Sequence, residues 1–172
     1  MRGLGLLKSL DLSLSPNLIH VGPRLFANNP MIEVISLRGC KQLSIEEEAF
    51  TLPATSASSE AVTASSTASS RQLNLKLSEL GWTEVSSKIA DWSQVASIDL
   101  SFNPLQCDCE MTWLKDVLSG IVASANLNND TDSSTARPYK SQVFCQLPAS
   151  LEGKSLLVSV NNVLKFGTTS IG

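Results

Sequence analysis

The chain has 172 residues, a formal charge of −3, 42% hydrophobic residues and 17% charged residues. That length suits one domain with a real core, since such a chain buries roughly two thirds of its unfolded surface. The 13 Lys and Arg are scattered, so no basic stripe invites nucleic acid. Nothing approaches the roughly 18 consecutive apolar residues of a membrane-spanning helix.

At the N-terminus, Met1-Arg2 precedes an apolar run at Gly3-Leu4-Gly5-Leu6-Leu7. A signal peptide needs about 7–15 apolar residues and a small-residue cleavage site, and Lys8 and Asp11 interrupt the run too early. The same leucines open an internal repeat. Leu7, Leu10, Leu12, Ser15 and Leu18 stand in the pattern L-x-x-L-x-L-x-x-S-x-x-L, and 25 places later stand Ile32, Ile35, Leu37, Cys40 and Leu43. The two segments end on Phe26 and Phe50. Val95, Ile98, Leu100, Asn103 and Leu105 give a further copy. A weaker one aligns Leu73 with Ile98, Leu75 with Leu100, Ser78 with Asn103 and Leu80 with Leu105, again 25 places apart, with Ser70 where an aliphatic belongs.

The spacing has a physical reason. In x-L-x-L-x, alternate side chains of a short strand face opposite ways, so the aliphatics enter a core and their neighbours face solvent. Three residues later the chain must turn while bonding buried backbone groups. Asn does this with a donor and an acceptor; Cys and Ser do it less completely. One unit cannot bury its own apolar face, whereas stacked copies share a continuous core.

Between Leu37 and Leu75 the step is 38, one period plus 13 residues. Residues 54–70 hold only Ala, Ser and Thr apart from Glu60 and Val62, a composition that predicts a disordered surface insertion. The four cysteines are Cys40, Cys107, Cys109 and Cys145, with no CxxC pair and one histidine, His20. A zinc site built on the last three lacks a fourth ligand at metal spacing, so disulfides and an oxidising compartment are the better expectation. Trp113, Leu114, Val117 and Leu118 recur at helical spacing, with Asp108 and Glu110 where a helix dipole favours negative charge. His20 has no carboxylate or nucleophile at a telling spacing, Glu46-Glu47-Glu48 reads as a solvated run, and no phosphate-binding glycine loop occurs. Catalysis and cofactors are not expected. Asn129-Asp130-Thr131 is a glycosylation acceptor in a polar stretch.

These repeats resemble those of leucine-rich-repeat proteins. The stretch Asn103-Pro104-Leu105-Gln106-Cys107-Asp108-Cys109-Glu110-Met111-Thr112-Trp113-Leu114, with Cys145, Pro148, Leu151, Gly153 and Leu156, resembles the C-terminal cysteine-flanking cap of extracellular members. The resemblance implies an α/β repeat fold: a leucine-rich-repeat solenoid with short parallel strands on its concave face and a disulfide-bonded C-terminal cap. It divides the chain into two repeats at 1–52, the insertion at 53–70, a degenerate repeat plus the last repeat strand at 71–105, the cap at 103–165 and a disordered tail at 166–172.

By analogy with such caps, Cys107 pairs with Cys145. Cys109 should pair some twenty residues beyond Cys145, where this chain has no cysteine, so it is free or has a partner past Gly172; the first repeat also begins with no cap before it. Trp113, Leu114, Pro148, Gly153 and Leu156 would form the cap core. The resemblance implies a non-catalytic protein-binding module, part of a secreted or cell-surface protein, with no nucleic acid and no membrane insertion by this chain. Its concave face would carry Ser9, Asp11 and Ser13; Val34, Ser36 and Arg38; Gln72, Asn74 and Lys76; and Ser97, Asp99 and Ser101. A capping fragment with no binding role of its own, or an intracellular scaffold with reduced thiols, are the alternatives.

Overall fold

The computed structural model describes residues 5–53, 73–127 and 143–156, and of residues 122–127 the backbone alone. The predicted insertion (apart from Pro53), Gln72, Asn129 and the chain beyond 156 lie outside these residues.

The aliphatic periodicity forms strands where the pattern x-L-x-L-x stands. Strands β1 (Ser9–Asp11), β3 (Val34–Ser36), β5 (Leu73–Lys76) and β6 (Val95–Asp99) pair in parallel as one sheet, in the order β1-β3-β5-β6. Two shorter strands, β2 (His20–Val21) and β4 (Ser44–Ile45), pair in parallel as a second sheet. The fold is therefore mixed α/β with parallel strands. Leu10 stands beside Ile35, Ile35 beside Leu75, and Leu75 beside Ile98. Ile35, Leu37, Leu75, Leu77, Ile98 and Leu100 are at most 1% exposed. Phe26 and Phe50, closing the first two segments, stack at 6.1 Å between ring centroids.

The third copy stands two residues away from its expected place. Leu75 pairs with Ile98 and Leu73 with Val95, across a bulge between Leu73 and Asn74, so the step to the last copy is 23 residues rather than 25. The step from Ile35 to Leu75 is 40, which makes the extra length 15. A strand repeats every two residues, so this slip leaves each side chain on its expected face while changing its neighbours. Leu80, not Ser78, then occupies the place of Asn103.

Each strand is followed by a residue with left-handed backbone at the same place in the turn: Leu14 (φ 57°), Gly39 (φ 74°), Glu79 (φ 60°) and Phe102 (φ 58°). One is glycine; the other three hold a conformation that costs an L-residue roughly 1–2 kcal/mol. The turn that stacks one strand on the next demands it.

At the far end, Asp108 caps a 3₁₀ turn (Cys109–Met111) by accepting from the Glu110 N–H, and helix α1 (Thr112–Leu127) follows. Met111, Leu114, Leu118 and Ile121 are buried at helical spacing. The Cys107–Cys145 disulfide forms, closing a separation of 38 residues. Around it the Cys107 N–H donates to the Leu147 carbonyl (2.8 Å), and the Leu147 N–H donates to that of Leu105 (3.1 Å).

Candidate functional site

The sheet buries one face and leaves the other open. Across that open face the backbone register aligns side chains in rows. One row runs Ser9, Val34, Asn74, Ser97; the next runs Asp11, Ser36, Lys76, Asp99. Parallel strands are roughly 4.8 Å apart, so each row is a ladder of close neighbours. Ser13, Arg38 and Ser101 stand where the strands end, the Leu14 N–H donating to the Arg38 carbonyl (2.7 Å) and the Glu79 N–H to that of Ser101 (3.1 Å).

Side-chain bonds run along the first row and tie the second to the strand ends. Ser97 Oγ donates to Asn74 Oδ1 (2.6 Å), and Asn74 Nδ2 donates to the Glu33 carbonyl (3.0 Å). Asp99 Oδ1 accepts from both the N–H (3.0 Å) and the hydroxyl (2.6 Å) of Ser101. Asp11 Oδ1 accepts the Ser13 N–H (2.9 Å) in the same two-residue loop. Arg38 donates from Nε and Nη2 to Glu79 Oε1 (2.9 and 2.5 Å).

Ser36 corrects the expectation of an exposed contact residue. It is 6% exposed, its hydroxyl 2.7 Å from that of Ser13, so the neighbouring strands cover this short side chain. Ser9, Asp11 and Arg38 are exposed; Ser13, Asn74, Lys76, Ser97, Asp99 and Ser101 are half-buried. The hydrogen bonds of Ser13 hold the Asp11 carboxyl below its ordinary value of 3.8, with Lys76 adding a smaller attraction. The second row is thus negative at Asp11, positive at Lys76 and negative at Asp99.

Phe102 was not among the expected contact residues. It follows Ser101, is 80% exposed and sits in left-handed backbone. The available signal was a phenylalanine directly before the turn asparagine Asn103. Strained backbone carrying a large exposed aromatic ring marks a contact candidate.

The Glu46-Glu47-Glu48 run is not merely solvated. His20 Nε2 lies 3.3 Å from Glu46, Lys88 Nζ donates to Glu47 (2.9 Å), and Arg24 Nε donates to Glu48 (2.6 Å). His20, given no carboxylate by its sequence surroundings, meets one across the turn. The bonds from Glu47 and Glu48 raise the pKa of Lys88 and Arg24.

In the cap, Leu114 and Leu156 are fully buried. Trp113 is half-buried and tilts against Trp92, with centroids 5.0 Å apart. Pro148 and Gly153 are exposed, contrary to their expected place in the cap core. Each shapes a turn: the Pro148 carbonyl accepts the Leu151 N–H (2.8 Å), and Gly153, at φ 71°, donates its N–H to the Cys145 carbonyl (2.8 Å). Cys109 is exposed and free. Cys40 is buried and free, its thiol donating to the Leu12 carbonyl at 3.3 Å.

Among the described residues, no group of His, Cys, Asp and Glu is arranged to hold a metal ion, and no helix is long and apolar enough to cross a membrane. No model of a known protein family matches the chain, and no curated protein or solved structure does.

Proposed function

We propose that this chain is the C-terminal part of a leucine-rich-repeat solenoid of a secreted or cell-surface protein, and that it binds a protein partner without catalysis. The observation that carries the reading is the register across β1, β3, β5 and β6. It converts scattered polar residues into rows on one open face, beside an end closed by Cys107–Cys145. The stacked aliphatics, the recurring left-handed turn and the disulfide support the fold assignment; the disulfide also fits an oxidising compartment.

The contact surface is Ser9, Asp11, Ser13, Arg38, Asn74, Lys76, Ser97, Asp99 and Ser101, with Phe102 as its aromatic anchor. Anchors of this kind dominate binding hot spots, and the surrounding polar groups supply register and specificity. The absence of aromatics among those nine residues favours a second reading, a capping unit with no binding role of its own.

The test is a binding screen of the intact chain against an array of purified extracellular proteins. A Lys76→Glu/Asp99→Lys variant and Phe102→Ser should each lose the captured partner, while Glu47→Gln should retain it. No captured partner would favour the capping unit, and a partner held equally by all variants would overturn this face as the contact surface.

A further inference from the structure

Strand β4 is bonded on one side only. The Ser44 N–H donates to the Ile19 carbonyl (2.9 Å) and the Glu46 N–H to that of Val21 (3.0 Å), which ties it to β2. Consecutive residues of a strand turn their main-chain groups to opposite sides, so the N–H and C=O of Ile45 point away from β2. The next turn of the chain lies on that side, yet its backbone is engaged elsewhere. The Leu80 and Trp82 N–H groups donate to Asn103 Oδ1 (2.9 and 3.2 Å), and the Thr83 carbonyl accepts the Gln106 N–H (2.8 Å). The two turns are bonded before the gap, where the Gly39 N–H donates to the Ser78 carbonyl (3.0 Å), and after it, where the Glu48 N–H donates to that of Lys88 (2.7 Å). Among the described residues no backbone bond joins 40–47 to 79–87. There a cleft of about 360 Å³ opens between Leu43, Ile45, Trp82 and Ile89, with Glu84 and Ser86 exposed at its rim. We propose that this cleft takes an extended peptide segment of a partner protein, which adds a strand to β4 and sets a Lys or Arg against Glu84.

Backbone, volume and charge select this occupant. Ile45 offers a donor and an acceptor on one strand edge, and an extended chain is the ligand that presents the matching carbonyl and N–H. Leu43 and Ile89 are buried and Ile45 and Trp82 half-buried, a floor suited to one inward-pointing apolar side chain. The volume stands at the lower end of the roughly 300–1,000 Å³ of ligand clefts, so it admits a single strand and no larger element. Glu84 supplies the charge. On the neighbouring turn Glu46, Glu47 and Glu48 are already engaged by His20, Lys88 and Arg24. Glu84 has no ionic or hydrogen-bond partner among the described residues, which leaves its carboxylate open to an incoming cation. None of these residues belongs to the open face of the four-stranded sheet, so the cleft is a second surface that stands or falls apart from the contact surface proposed above.

The test is an NMR titration of the intact chain with the capped pentapeptide Thr-Val-Lys-Val-Thr, whose β-branched residues favour the extended form. The Ile45 amide and the Trp82 indole should shift together, with one Kd. Replacing the lysine of the peptide by glutamate should abolish the shifts. Methylating every peptide nitrogen removes the donors that Ile45 needs and should raise Kd about fivefold or more. Glu84→Gln, a surface change, should weaken the lysine peptide by about two- to fivefold and leave Thr-Val-Thr-Val-Thr unaltered. No shift at Ile45 with millimolar peptide would overturn the proposal. So would equal binding of the lysine and glutamate peptides, or shifts confined to the open face of the larger sheet. An Ile45 amide protected from hydrogen exchange in the free chain would overturn it too, because that edge would already be filled.

Discussion

Asn103 Oδ1 accepts the backbone N–H of Leu80 at 2.9 Å, binding one turn of the chain to the turn before it. The same oxygen accepts from the Trp82 N–H (3.2 Å), while Nδ2 donates to the carbonyls of Leu77 (2.8 Å) and Leu100 (3.0 Å). Asn103 is 6% exposed, so every one of these partners would lose its bond in a setting that water reaches poorly. Asn103→Leu should therefore cost about 3 kcal/mol or more, since each orphaned buried polar group costs about 1–3 kcal/mol. Urea unfolding would check it, as a lower midpoint at an unchanged slope.

The Cys107–Cys145 link closes a separation of 38 residues, worth about 4 kcal/mol by loop entropy. The Cys107→Ser/Cys145→Ser variant should melt well below the unmodified chain. Adding a reductant should lower the unmodified chain towards it and leave the variant unmoved, which a thermal scan with and without dithiothreitol would show.

Phe102 holds left-handed backbone at φ 58° and is 80% exposed, so its ring contributes little burial to set against the strain. Asn tolerates that conformation better than Phe. Phe102→Asn should stabilise the chain by about 0.5–1 kcal/mol in a denaturant titration. A gain in stability joined to a loss of partner binding would mark Phe102 as a residue whose strain serves contact.

Asp11 has its pKa lowered by the hydrogen bonds of Ser13 first, then by Lys76. The sign follows from linkage: a folded value below the unfolded one stabilises the fold above the unfolded pKa, and that contribution disappears as pH falls through the folded pKa. The loss therefore falls below pH 3.8. An NMR titration of the Asp11 carboxyl should give a midpoint beneath 3.8, and Ser13→Ala should move it upward.

The fold was legible wherever a residue's role depends on its near neighbours in the chain. The 25-residue recurrence of Leu7-Leu10-Leu12 at Ile32-Ile35-Leu37 prescribed buried aliphatics on short strands, because a strand's two faces alternate with the sequence itself. The parallel pairing of β1 with β3 follows that alignment residue for residue. The turn position was readable too: Cys40 bonds the Leu12 carbonyl as Asn103 bonds that of Leu77, one bond against four. The spacing of Trp113, Leu114 and Leu118 announced the helix. The Cys107–Cys145 pairing came from resemblance alone, and the structure contains it.

What only the tertiary structure decided is everything that depends on which turn lies beside which. A two-residue slip of the third copy is nearly silent in sequence, since it preserves the alternation of faces, yet it sets Leu80 rather than Ser78 beside the Asn103 amide. The cover over Ser36, the ion pairs of Glu46, Glu47 and Glu48, and the surface turns at Pro148 and Gly153 are likewise products of stacking. The left-handed turn is the plainest instance. Leu14, Glu79 and Phe102 carry no local preference for that backbone, and they adopt it because the strand that follows must return to the sheet in register with the one before.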